Sequence, residues 1–294
     1  MRFFTYQQDG IRGLGLRMGD DLYGILESSP AYPGGLEDLI SKGMAGLDSA
    51  SKTLMNAPLT GDFSYLPTIP SPGKIICVGL NYADHTTESG YDQPDYPTLF
   101  PRFTTSLVAH DQDMIAPLDL SDTLDFEGEV AVIIGTGGSH ISKEDALGHV
   151  AGYALFNDGS VRDYQFKSPQ WTVGKNFDGT GAFGPDFITA DELPEGARNL
   201  KIETRLNGKT VQSANTDQLI FDVPTLISVI SEAITLEPAD VIVTGTPSGI
   251  GHARTPKLYM QPGDICEVEV EGMGVLKNRI AAAPGLTSGE RVGH

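Results

Sequence analysis

The sequence predicts an α+β fold that is mainly β. Strand-like runs dominate from Lys74 onward, among them "KIICVGL", "EGEVAVIIG", "AGYALFND" and "DVIVTGT". A hairpin is written into "ETRLNGKTVQ", with Asn207-Gly208 in its turn. Segments with apolar residues at helical spacing are few and short, which argues against a doubly wound parallel sheet. The 39% hydrophobic content of the 294 residues supports a globular core.

In chain order, residues 1–70 read as a small N-terminal α/β module. "MRFFTYQ", "RGLGLRMG" and "GDDLYGIL" are strand-like, and "GGLEDLISKGMAGL" has the i, i+3, i+4 spacing of one short helix. The proline-rich "LPTIPSPGK" then interrupts any regular element and reads as a linker. A second unit follows over about residues 73–282. Its expected helices are "KEDALGHVAG" and "FDVPTLISVISEAI", and residues 283–294 read as a mobile tail.

Composition narrows the partners. Cys77 and Cys266 lie far apart in apolar runs, the pattern of reduced core thiols. There is neither an apolar run of membrane-spanning length nor a secretory leader, so the expectation is a cytoplasmic protein without a membrane partner. A formal charge of -19 argues against nucleic acid. A small anionic substrate is compatible only if a metal or a few local cations reverse the field within the site.

Two literal motifs mislead. "GTGAFG", Gly179 to Gly184, matches G-x-G-x-x-G, yet Pro185 and the β-prone "DFIT" follow where a dinucleotide site needs a helix. "GTPSGIG" lacks the Gly-Lys-Ser/Thr ending of a phosphate loop.

The acids are more informative. In "LDFEGEVAVII", Leu124 to Ile134, Glu127 and Glu129 share one strand face, because side chains alternate with period two. Alone, such a pair reads as a solvent-facing edge. "AGYALFND" ends in a further acid, Asp158, at the mouth of an apolar strand. Three carboxylates converging from two strands match the oxygen-only ligation of Mg²⁺ or Mn²⁺. In "VGLNYADHTTESG", Asn81 is the expected N-cap of a helical turn that sets His85 and Glu88 on one face. A carboxylate beside an imidazole orients a general base, although the pair alone would read as a surface ion pair.

"CVGLNYADH", "LDFEGEVAVIIG", "FNDGSVRDYQ", "WTVGKNFDGTGAFGP" and "VIVTGTPSGIG" together resemble the fumarylacetoacetate hydrolase superfamily in order and spacing, over about residues 73–282. The resemblance implies a distorted β-roll catalytic core, one divalent ion per subunit and a homodimer. It implies Glu127, Glu129 and Asp158 as metal ligands, His85 and Glu88 as a catalytic dyad, and Lys175 as the cation beside the metal that steadies an enolate. Arg162, Gln165 and Thr246 fall where the family contacts substrate. Read singly, these are an ion pair with Asp163, a surface residue and a turn former. Arg102 stands where the family commonly has lysine, and its planar fork suits a second carboxylate on the substrate. The implied activity is metal-dependent C–C hydrolysis of an acylpyruvate, of fumaryl- or maleylpyruvate type. Oxaloacetate-type decarboxylation, a hydratase or isomerase reaction, and a non-catalytic metal-binding protein are the alternatives.

Overall fold

Alternating apolar residues become the strands of three sheets in a computed structural model, which describes residues 1–88, 93 and 95–284. The expected tail lies outside the described residues from 285 onward. The chain opens with β1 (Arg2–Gln8), β2 (Ile11–Met18), β3 (Asp21–Leu26), α1 (Leu36–Ser41), α2 (Gly43–Leu54) and β4 (Ser64–Tyr65). It continues with β5 (Ile75–Gly79), α3 (Ala83–Glu88), β6 (Thr98–Pro101), β7 (Leu107–Val108), β8 (Met114–Ala116), β9 (Leu124–Asp125), β10 (Gly128–Ile134) and β11 (Val150–Asp158). Then come β12 (Ser160–Val161), α4 (Arg162–Gln165), β13 (Gly181–Thr189), β14 (Lys201–Leu206), β15 (Lys209–Asn215) and α5 (Val223–Ala233). The last strands are β16 (Val241–Val243), β17 (Ile265–Val270) and β18 (Gly274–Ala282).

The large sheet runs β3-β2-β1-β13-β11-β10-β16-β5-β6, with β4 on β1 and β7 on β13. The N-terminal strands continue this sheet through Phe3 opposite Phe187. Strand β10 is buried along its whole length, so its two faces feed two cores. Val130, Val132 and Ile134 pack with Ile202, Val268 and Leu276 of the smaller sheet β15-β14-β17-β18-β8, and with Leu226 and Ile230 of α5. Ala131 and Ile133 pack with Phe3, Phe183 and the helical Leu36, Leu39 and Leu47. At about 25 cal/mol per Å² of apolar surface removed from water, burial on both faces makes this strand the rigid centre of the fold.

The hairpin forms as expected, with positive φ at Asn207 and Gly208. Two helices differ. The expected N-terminal helix is split at Lys42, whose N–H returns to Leu39 O, and resumes at Gly43 with φ +69°. "KEDALGHVAG" forms only a 3₁₀ turn at Ala146–His149, because Val150 already begins β11 and pairing with β10 and β13 outweighs local helical spacing. Strand β13 begins inside "GTGAFG", at Gly181, with no helix opening there, which removes the dinucleotide motif. Both cysteines are free and buried. Among the described residues no helix is long and apolar enough to cross a membrane.

Candidate active site

The antiparallel pairing of β10 with β11 sets Gly128 opposite Asn157 and Glu129 opposite Phe156. That register brings together the residue before β10, Glu127, the second residue of β10, Glu129, and the last residue of β11, Asp158. One carboxylate oxygen from each lies within 4.8 Å of the others. Exposures of 5% for Glu127, 2% for Glu129 and 0% for Asp158 exclude the solvent-facing edge.

Cations surround two of the three acids. Lys175 Nζ lies 2.7 Å from Glu127 Oε2 and 2.6 Å from Asp158 Oδ2. Arg162 Nη2 lies 2.7 Å from Glu127 Oε1 as an ion pair without a well-directed hydrogen bond. Burial alone would raise the pKa of Glu127, but Lys175 and Arg162 outweigh it and hold the carboxyl at about 2. Burial lowers that of Lys175, yet Asp158 and Glu127 bring it above the ordinary lysine value. Glu129 accepts the Gly245 N–H and has no ion-pair partner among the described residues. Burial, then the charges of Asp158 and Glu127, push its pKa well up. A buried oxygen-only set whose third acid lacks a countercharge fits a hard divalent cation.

Arg102 is engaged by the protein on every side. It is buried and bonded through Nη1 to Asp158 Oδ1 and to Gly159 O at 3.1 Å, through Nη2 to Thr180 Oγ1 at 2.9 Å, and through Nε to Ser106 Oγ at 3.2 Å. Its ring of partners fixes Asp158 from behind, and Arg102 does not line the cavity that Glu127 and Glu129 face, where the sequence placed it as a substrate contact.

Helix α3 carries the dyad as the spacing requires, with His85 Nδ1 3.1 Å from Glu88 Oε1. The Gly249 N–H donates to Glu88 Oε1 at 2.8 Å and fixes the acid. Asn81 lies two residues before the helix and ties it to its surroundings. Its amide donates to Thr244 O and Phe221 O and accepts the Phe221 N–H, which pins the start of α3 to the neighbouring loops.

His85, Glu88, Glu127, Glu129 and Lys175 face one cavity of about 290 Å³ that also receives Arg162, Gln165 and Thr246. Arg162 Nη1 donates to Gln165 Oε1 at 2.8 Å, which turns the Gln165 amide nitrogen away from it. Thr246 Oγ1 donates to Gly128 O at 3.1 Å and accepts from Gln212 Nε2 at 2.8 Å, so a buried amide ties this loop to β10.

Sequence reasoning missed Asp125 and His252. Asp125 Oδ2 accepts Arg162 Nε and the His252 N–H, both at 2.9 Å, while Oδ1 accepts the Gly251 N–H at 2.8 Å. The signal was present, since Asp125, Glu127 and Glu129 alternate through "DFEGE". His252 lines the cavity from a loop without periodicity and gave no signal.

The fumarylacetoacetate (FAA) hydrolase C-terminal family model matches residues 74–281. The mitochondrial oxaloacetate tautomerase Fahd2a of Rattus norvegicus is 37% identical over 272 residues, 91% of this chain and 86% of its own. Oxaloacetate tautomerase YisK of Bacillus subtilis is 41% identical over 215 residues, 72% of this chain and 71% of its own. The chain is also similar to a solved fumarylacetoacetate hydrolase from Exiguobacterium antarcticum, with TM-score 0.84 and 37% identity over 96% of this chain and 100% of that one. Maleylpyruvate hydrolase from Sphingobium, solved with manganese (II) and pyruvate, has TM-score 0.78 and 26% identity over 97% and 100% of the two chains. With its mainly β fold and its buried acids in register, the chain belongs to the fumarylacetoacetate hydrolase family.

Proposed function

We propose that the protein is a divalent-metal-dependent enzyme that interconverts the keto and enol forms of oxaloacetate, a small 2-oxo diacid. The observation that carries this is the meeting of a His-Glu dyad with Glu127, Glu129 and Lys175 around one small cavity, with Asp158 completing the acid cluster behind them. The oxaloacetate tautomerases similar to this chain support the same substrate class.

The residues divide the work by charge. The C3 hydrogens of oxaloacetate lie between two carbonyl groups, so loss of one sends its electron pair toward the C2 oxygen, which then takes a proton to give the enol. His85 engages Glu88 through Nδ1, which leaves Nε2 to accept the C3 proton. Glu88, held by the Gly249 N–H, stabilises the imidazolium so formed. Arg162 and the Gln165 amide nitrogen offer donors to the substrate carboxylate. Glu127, Glu129 and Asp158 would hold Mg²⁺ or Mn²⁺, which when bound supplies a Lewis acid that polarises the 2-oxo group and stabilises enolate charge. Lys175 bridges two of those acids and adds positive charge beside that oxygen.

The test follows the enol absorbance of oxaloacetate with Mg²⁺ and after chelation. His85→Ala should lower kcat by about 10²- to 10⁴-fold, and a variant as fast as the parent would remove the reading.

A second reading is hydrolysis of an acylpyruvate of maleylpyruvate type, supported by the Sphingobium structure with manganese (II) and pyruvate. There the dyad would take its proton from water, and the distal carbonyl attacked by that water would leave as a carboxylic acid with pyruvate enolate as the other fragment. Pyruvate release separates the two, because tautomerisation yields none and decarboxylation of oxaloacetate yields it with CO₂. The same reading includes a homodimer, supported by exposed Phe103, Leu120 and Val173 around one surface groove and tested by sedimentation velocity.

A further inference from the structure

We propose that His252 reads the distal carboxylate of the substrate, donating to it from Nε2 at the cavity wall formed by Ile250, His252 and Ala253. The inference rests on the oxaloacetate-type reading above and names the residue that selects a diacid over a monoacid. Arg102, the residue whose chemistry suited that task, is spent on Asp158.

His252 lines the same cavity as Glu127 and Glu129, from a different element. Its backbone is fixed, since Asp125 takes the N–H groups of Gly251 and His252 together with Arg162 Nε. One carboxylate thus sets Arg162 and His252 in register on a shared wall. The ring is held by Phe166, with centroids 5.2 Å apart, and by Tyr259 at 6.2 Å.

The tautomer follows from its neighbours. Nδ1 lies 2.8 Å from Tyr259 Oη and 3.3 Å from Lys257 Nζ. An ammonium only donates, so Nδ1 is an acceptor and the neutral ring carries its proton on Nε2. Among the described residues Nε2 bonds to nothing. Burial, then Lys257 and Arg162, lower the pKa of His252 below the ordinary histidine value, which keeps the ring neutral near pH 7. A neutral N–H beside an ammonium is an anion-accepting arrangement, and it costs little desolvation when no anion is bound.

If His252 only packs its loop, it should affect all ligands alike. The test uses the full Mg²⁺-loaded chain with two unreactive probes, malate and lactate, which share the 2-hydroxy acid and differ in the distal carboxylate. Binding is read by the fluorescence of Trp171, the single tryptophan, which lines the cavity. In His252→Leu the preference for malate over lactate should fall about ten- to hundredfold, the worth of a hydrogen bond to a charged group. Lactate affinity should be unchanged, and His252→Gln, which keeps an N–H at similar reach, should restore the preference. Equal weakening of both probes, or an unchanged ratio, would overturn the proposal. A ratio that depends on His252 in a protein that turns over no 2-oxo acid would keep this assignment and remove the tautomerase reading. An unchanged ratio in a working tautomerase would do the reverse.

Discussion

Glu129 is the residue with most to gain from a cation. Its neighbours Glu127 and Asp158 already share Lys175, whereas burial and those two charges drive its own pKa up. The metal-free carboxyl therefore keeps a proton at pH values above its ordinary 4.5, and ligation must expel it. Mg²⁺ affinity should rise with pH across that raised range, and calorimetry in two buffers of different ionisation enthalpy should report proton release. Buffer-independent heats would mean that Glu129 is already ionised. Arg102→Lys should weaken Mg²⁺ about 10- to 100-fold, because it loses the fork that fixes Asp158. A change confined to KM would instead return Arg102 to the substrate.

The strands were legible because alternation and burial agree along them, and the acids were legible because they obey the same alternation. Asp125 belongs to that series, but its function lies in partners more than a hundred residues away, Gly251 and His252. No local pattern announces them. Likewise Asn81 reads locally as a helix cap, and nothing local announces that its side chain also ties in the loops at Phe221 and Thr244. The helical spacing of "KEDALGHVAG" lost to a strand paired on both sides. The loop carrying His252 is as tightly built as the strands. A Cβ on Gly251 would lie 1.6 Å from Leu258 O and 2.7 Å from Asp125 Oδ1, so the loop would have to leave Asp125. Gly251→Ala should cost about 1–3 kcal/mol in urea unfolding, with loss of probe binding at the cavity. Unchanged stability would show that the loop yields freely.

For the whole molecule, metal and stability are linked. Mg²⁺ at a hundredfold excess over its Kd should add about 2.7 kcal/mol, a rise of about 5 °C in Tm against the chelated protein. At a fixed Mg²⁺ concentration the gap should widen with pH. An acid whose folded pKa is raised loses stability as pH climbs above its unfolded value, which Glu129 suffers only while it lacks the ion. A gap that closes with rising pH would contradict the assignment of Glu129. The charge inventory of the site has a further consequence. Buried Asp125, Glu127, Glu129 and Asp158 face buried Arg102, Arg162 and Lys175, a sum of zero while Glu129 keeps its proton and one negative charge in excess once ligation ionises it. A divalent ion turns that into one positive charge in excess, inside a protein of formal charge -19. Loading should therefore be ordered, cation first and organic anion second. Malate added to the chelated protein should leave Trp171 fluorescence unmoved until Mg²⁺ follows it.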